Sequence, residues 1–200
     1  MLVPKRFAAI DVETPNARND RMSAIGVVIL EQGQIVERFY TLVDPEVSFD
    51  PFNIRLTGIT PRMVRAYPDF GSLWPRLRPL LDTGVLAAHN APFDLGVLSS
   101  CLRHYGIEWK PELDYVCTCQ MGRRLVPQLP DHRLDTMAAY YALPLDHHNA
   151  ASDTLVCAQL LQRYQRLCED FTPFLRKYDL LRAHTVRDAA TQDPLKEKTI

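Results

Sequence analysis

The chain has 200 residues, 46% of them hydrophobic and 24% charged, with a formal net charge of −1. That length suits one domain able to bury a substantial core, and the near-neutral balance excludes a protein that coats nucleic acid through overall positive charge. No run approaches the roughly 18 apolar residues of a membrane span, the first residues lack the apolar core of a signal peptide, and five cysteines without a paired pattern read as reduced thiols. A soluble, cytoplasmic protein is expected.

In chain order, residues 7–10 (Phe-Ala-Ala-Ile) form an apolar run typical of a strand buried on both faces. Residues 24–30 and 35–43 are β-rich and separated by Glu31-Gln32-Gly33-Gln34, which reads as a hairpin added to that first strand. Residues 51–61 read as irregular, with Thr60 placed to cap a helix that starts at Pro61. Helical spacing of Phe70, Leu73, Trp74, Leu77, Leu80 and Leu81 predicts a helix over 69–81, although Pro75 and Pro79 count against a regular one. A buried strand at 84–88 and a helix over 92–105 ended by Gly106 follow. A strand at 113–117 leads into a helix running to 125, and further helices are expected over 134–143, 151–168 and 172–183. Strands first as a meander, then alternating with helices, predict an α/β fold: a mixed sheet with an N-terminal antiparallel meander, flanked by helices. We expect a single domain over 1–185 and a loose C-terminal tail over 186–200, where no apolar period remains.

Three short segments carry the chemistry. Asp11 and Glu13 sit two apart on the first strand, so their side chains project to one side. Carboxylates aimed together from a buried strand repel, and a hard divalent cation such as Mg²⁺ or Mn²⁺ relieves that repulsion. The plainer alternative is two solvated acids where a strand surfaces. In His89-Asn90-Ala91-Pro92-Phe93-Asp94 a strand turns into a helix, with Asp94 in the first helical turn facing back to the strand end. An acid there is also favoured simply by the helix dipole. Asn90 holds the turn, Phe93 offers either an apolar face to a base or a core contact, and His89 suits a structural role. In His148-Asn149-Ala150-Ala151-Ser152-Asp153 a loop histidine precedes an acid fixed in the first turn of a long helix. A histidine with an ordinary pKa of about 6.5 can take a proton near neutrality; an exposed His147–His148 pair without a task is the alternative.

These segments resemble the three motifs of the DEDD exonuclease superfamily, DnaQ-like branch, DEDDh subtype, which includes the exonuclease domain of the DNA polymerase III epsilon subunit, RNase T and oligoribonuclease. The D-x-E pattern matches Asp11-Val12-Glu13, H-N-x-x-F-D matches residues 89–94, and H-x-A-x-x-D matches residues 148–153. Thr57-Gly58-Ile59-Thr60 is similar to a turn common in the epsilon-like group. The resemblance implies a ribonuclease H-like fold and a 3′–5′ exonuclease that frees nucleoside 5′-monophosphates from DNA or RNA. It implies two Mg²⁺ or Mn²⁺ ions held by Asp11, Glu13, Asp94 and Asp153, His148 as the catalytic proton acceptor, and Thr14, Asn90 and Phe93 on the substrate. The expected partner is nucleic acid with a free 3′ end, single-stranded; polymerase association has no support in the residues. Where epsilon-like chains often continue Thr-Gly, this one has Thr14-Pro15, so the loop bordering the 3′-nucleotide pocket is expected to have its own shape. A non-catalytic binding module on the same fold, or a small-ester phosphohydrolase, are the alternatives.

Overall fold

The computed structural model describes residues 3–82 and 84–182. Six strands form one sheet in the order β3-β2-β1-β4-β5-β6. β1 (Arg6–Glu13), β2 (Ala24–Glu31) and β3 (Gln34–Leu42) make the antiparallel meander; β4 (Val85–Ala88) and β5 (Glu112–Cys117) run parallel to β1. The predicted fold class is therefore observed. Helices are α1 (Pro51–Thr57), α2 (Pro61–Val64), α3 (Phe70–Leu81), α4 (Ala91–His104), α5 (Thr118–Leu125), α6 (Leu134–Tyr140) and α7 (Ala150–Leu167). Among the described residues, no helix is long and apolar enough to cross a membrane.

The two sheet faces hold separate cores. On one, Ala8, Ile10 and Val12 pack with α3 and α4 through Leu73, Leu77, Leu95 and Leu98. On the other, Phe7 and Ala9 pack with α5, α6 and α7 through Met121, Met137, Leu160 and Tyr164. Strand alternation then carries Asp11 and Glu13, in phase with Phe7 and Ala9, to the α7 face. α3 survives its two prolines because Pro75 and Pro79 are both exposed, where the carbonyls they leave unpaired can be hydrated; Asp69 caps the helix by accepting from the Ser72 amide at 2.9 Å.

Two expectations are corrected. The helix expected over 172–183 is a 3-10 turn (Thr172–Phe174) followed by β6 (Arg176–Asp179), antiparallel to β5. Only Tyr178 of β6 is buried, the pattern of a charged edge strand, which mimics a polar helix when read without its neighbour. The stretch 51–61, expected to be irregular, contains α1; Phe52 and Leu56 are exposed and its one buried residue is Asn53, so no inward apolar period marks it. The tail expected over 186–200 lies outside the described residues.

Candidate active site

β1 runs past the end of β4: Ala9 pairs with Ala87, and β4 stops at Ala88 while β1 continues to Glu13. Beyond β4, the Val12 amide donates instead to Asp94 Oδ1 at 3.1 Å, which fixes this helix acid against the strand that bears Asp11 and Glu13. Asn90, at the turn into α4, adopts the left-handed region with φ 72, which asparagine tolerates better than most residues. Its side chain is exposed and lies off the cleft wall.

From the other side of the sheet edge, α7 delivers Asp153. Gly26 pairs with Asp11, and a Cβ built on Gly26 would lie 2.2 Å from the Ala150 carbonyl oxygen. The missing side chain thus lets the first turn of α7 press onto the sheet. The preceding loop is braced: Asn149 caps α7 by accepting from the Ala151 amide at 3.2 Å, and the Asp146 amide donates to Ser152 Oγ at 2.8 Å.

Ligand atoms of Asp11, Glu13 and Asp153 all lie within 4.8 Å of one another. Asp94 and His148 join them in lining a cleft of about 230 Å³, together with Thr14, Asn53, Thr57, Phe93 and His147. Burial, and then the charges of Asp94, Glu13 and Asp153, push the Asp11 carboxyl well above its ordinary range. Burial, followed by Asp153, pushes Glu13 up to about 8. Asp94 is raised chiefly by burial, against the pull of the Val12 amide, and Asp153 by burial against the pull of His147. Such a group of acids is unfavourable as bare charge. The donor set fits a hard cation, and Asp153 Oδ1 is buried without a hydrogen-bond partner, leaving a free oxygen for one.

Two positioning residues escape a reading of the sequence. His147 places Nδ1 2.8 Å from Asp153 Oδ2 and stacks on His148, with ring centroids 4.0 Å apart and planes 19° from parallel. The His148 amide donates to the same Oδ2 at 3.2 Å, from a left-handed backbone at φ 65. Metal-ligating carboxylates are commonly oriented by such partners. Asn53 is buried and donates to the Thr14 carbonyl at 2.9 Å, while Thr14 Oγ1 donates to Asn19 Oδ1 at 2.8 Å. These bonds fix the loop after Glu13, where Pro15 accepts from the Asp50 amide at 2.9 Å. His89, expected to be structural, has both ring nitrogens engaged, with Thr118 Oγ1 and the His132 carbonyl at 2.9 Å each. The carbonyl can only accept, so Nε2 carries the proton; burial pushes this imidazole down to about 4.

A model of the exonuclease family RNase T matches residues 8–161. The chain belongs to that family. Membership in the DnaQ-like 3′–5′ exonuclease group, expected from the three motifs, is borne out. The chain is 35% identical over 161 residues to a DNA polymerase III PolC-type of Clostridium perfringens, a match covering 78% of this chain and 11% of that protein. It is 30% identical over 192 residues to the 3′–5′ exonuclease DinG of Bacillus subtilis, covering 92% of this chain and 20% of the relative. The chain therefore spans only a small part of these curated relatives. Among solved structures, exonuclease X in complex with 5′ overhanging duplex DNA superimposes with a TM-score of 0.65 at 22% identity, covering 92% of this chain and 98% of that one. A full-length 3′-exonuclease gives 0.71 at 18%, covering 88% and 91%. At such identity these likenesses establish the ribonuclease H-like exonuclease fold.

Proposed function

We propose that this chain hydrolyses the terminal phosphodiester at a free 3′ end of single-stranded nucleic acid and releases nucleoside 5′-monophosphates. The observation that carries this reading is the convergence of Asp11, Glu13 and Asp153 within 4.8 Å, with Asp94 and His148 on the same cleft wall. Asp11, Glu13, Asp94 and Asp153 would hold two Mg²⁺ or Mn²⁺ ions. When bound, that pair supplies charge stabilisation to the reacting phosphate and acidifies the attacking water. His148, on the loop at the cleft rim, accepts the proton from that water. Phe93 and Thr14, both on the wall, hold the terminal nucleotide. Asn90 acts at one remove, through the turn that starts α4.

DNA as substrate is favoured by the relatives, a DNA polymerase and a duplex-DNA complex among them; a structure of a 3′-exonuclease recognising a histone mRNA stem-loop keeps RNA as the second reading. None of the five cysteines is in a disulfide, which fits a reducing, cytoplasmic setting. The test is an Asp11→Asn chain incubated with an oligonucleotide and Mg²⁺ beside the wild type. Activity should fall by at least about 1,000-fold, equivalent to roughly 4 kcal/mol of transition-state stabilisation. Unaltered turnover would remove the metal role from Asp11.

A further inference from the structure

Residues 51–68, spanning α1, α2 and the turn after them, contain Arg55, Arg62 and Arg65 and no acid, in a chain whose formal net charge is −1. All three arginines are exposed, and among the described residues none of them forms an ion pair. Large apolar side chains in the same segment also turn outward, Phe52 before the arginines, Met63 among them and Tyr67 after them: Phe52 is 63% exposed, Met63 45% and Tyr67 43%. α1 is inverted as amphipathic helices go, since its one buried residue is Asn53 while Phe52 faces solvent. The inner side of the segment is nevertheless anchored, because Ile59 and Val64 pack on Ala24, Leu42 and Ala150.

This face is continuous with the acid-lined cleft: Asn53, Leu56 and Thr57 of α1 form part of the cleft wall. Exposed aromatic side chains beside unpaired cations suit sequence-tolerant binding of a single strand, because every base has a face to stack and every nucleotide a phosphate to neutralise. A protein partner could cover the same apolar groups, but it would also have to bring three acids to the same place. The unbalanced charge favours phosphate.

We propose that the outer face of α1 and α2 is the platform over which the substrate strand leaves the cleft, with bases on Phe52 and Tyr67 and phosphates on Arg55, Arg62 and Arg65. The proposal rests on the exonuclease reading above and assigns the path of the nucleotides upstream of the one being removed.

Two variants test it: Phe52→Ala combined with Tyr67→Ala, and Arg55→Gln combined with Arg62→Gln and Arg65→Gln. Each is compared with the wild-type chain on ten-nucleotide and two-nucleotide oligothymidylate, and on oligouridylate of the same lengths. The aromatic variant should raise KM for the longer strand by about tenfold or more, leaving kcat and the two-nucleotide substrate unaffected. The arginine variant should weaken binding of a 5′-fluorescein-labelled ten-nucleotide strand, measured in EDTA, and flatten its logarithmic salt dependence by about 0.7 for each phosphate no longer neutralised. Wild-type KM and salt slope in both variants would overturn the platform, as expected of a face that serves a protein partner. A wild-type chain that cuts none of the four substrates would instead overturn the exonuclease reading.

Discussion

Gly26 lies directly beneath the Ala150 carbonyl, so close that even a methyl group there would come within 2.2 Å of that oxygen. Because Gly26 pairs with Asp11 and Ala150 opens the helix that bears Asp153, this approach sets the distance between acids that are 142 positions apart in sequence. Gly26→Ala should therefore push α7 outward. Overpacking of this kind costs about 1–3 kcal/mol, which lowers the melting temperature of a chain this size by about 2–4 °C per kcal/mol. Nuclease activity should fall further than stability alone would account for. A Gly26→Ala chain with wild-type melting and turnover would show that the approach is not needed.

The clustered acids oppose folding when no cation is present, and the effect has a defined pH window. The fold raises Glu13 from 4.5 to about 8. Between those values the folded chain holds a proton that the unfolded chain has released, so metal-free stability falls as pH rises. Below pH 6.5 His89 acts in the opposite direction, because burial lowers it to about 4 and acid therefore favours the unfolded state. From pH 6.5 to 8 the acids act without that opposition. The metal-free chain should lose about 2 kcal/mol over that interval, seen as a lower melting temperature in EDTA. Saturating Mg²⁺ should abolish or reverse the trend. Identical melting at both pH values in EDTA would contradict the crowding.

His148 is lowered from its ordinary value, first by burial and then by His147. If it accepts the proton from water, kcat/KM should decline as pH drops, with a midpoint below about 6.5. His148→Ala should reduce kcat by about 10²–10⁴-fold and remove that acidic limb. His147→Ala should keep the limb and raise the Mg²⁺ requirement by about 10–100-fold, because it loses the group that orients Asp153. Acidic limbs of the same shape in wild type and His148→Ala would exclude His148 from proton transfer.

Local patterns make the site legible in part. Asp11 and Glu13 are readable because a strand alternates, and Asp94 and Asp153 because each opens a helix whose start is marked by proline or asparagine. The interactions joining them are not readable. Nothing local distinguishes Gly26 from any other strand glycine, and His147 cannot be told from His148 until the loop is folded over Asp153. Asn53 is likewise a polar residue in a short segment, and its hydrogen bond to the Thr14 carbonyl joins positions 39 apart in sequence. The edge strand β6 escapes for a related reason: Arg176, Lys177 and Asp179 are exposed, so three of its four residues carry no core signal, and its pairing partner is over 60 residues away in β5.

The most direct measurement is product analysis on an oligonucleotide labelled at its 5′ end, with Mg²⁺ or Mn²⁺ and with EDTA. A cleft of converging carboxylates acting on a free 3′ end predicts a ladder that shortens one nucleotide at a time while unlabelled 5′-monophosphates accumulate, and no digestion in EDTA or in the Asp11→Asn chain. Immediate release of the label as a mononucleotide, internal cuts, or undiminished digestion in EDTA would contradict it.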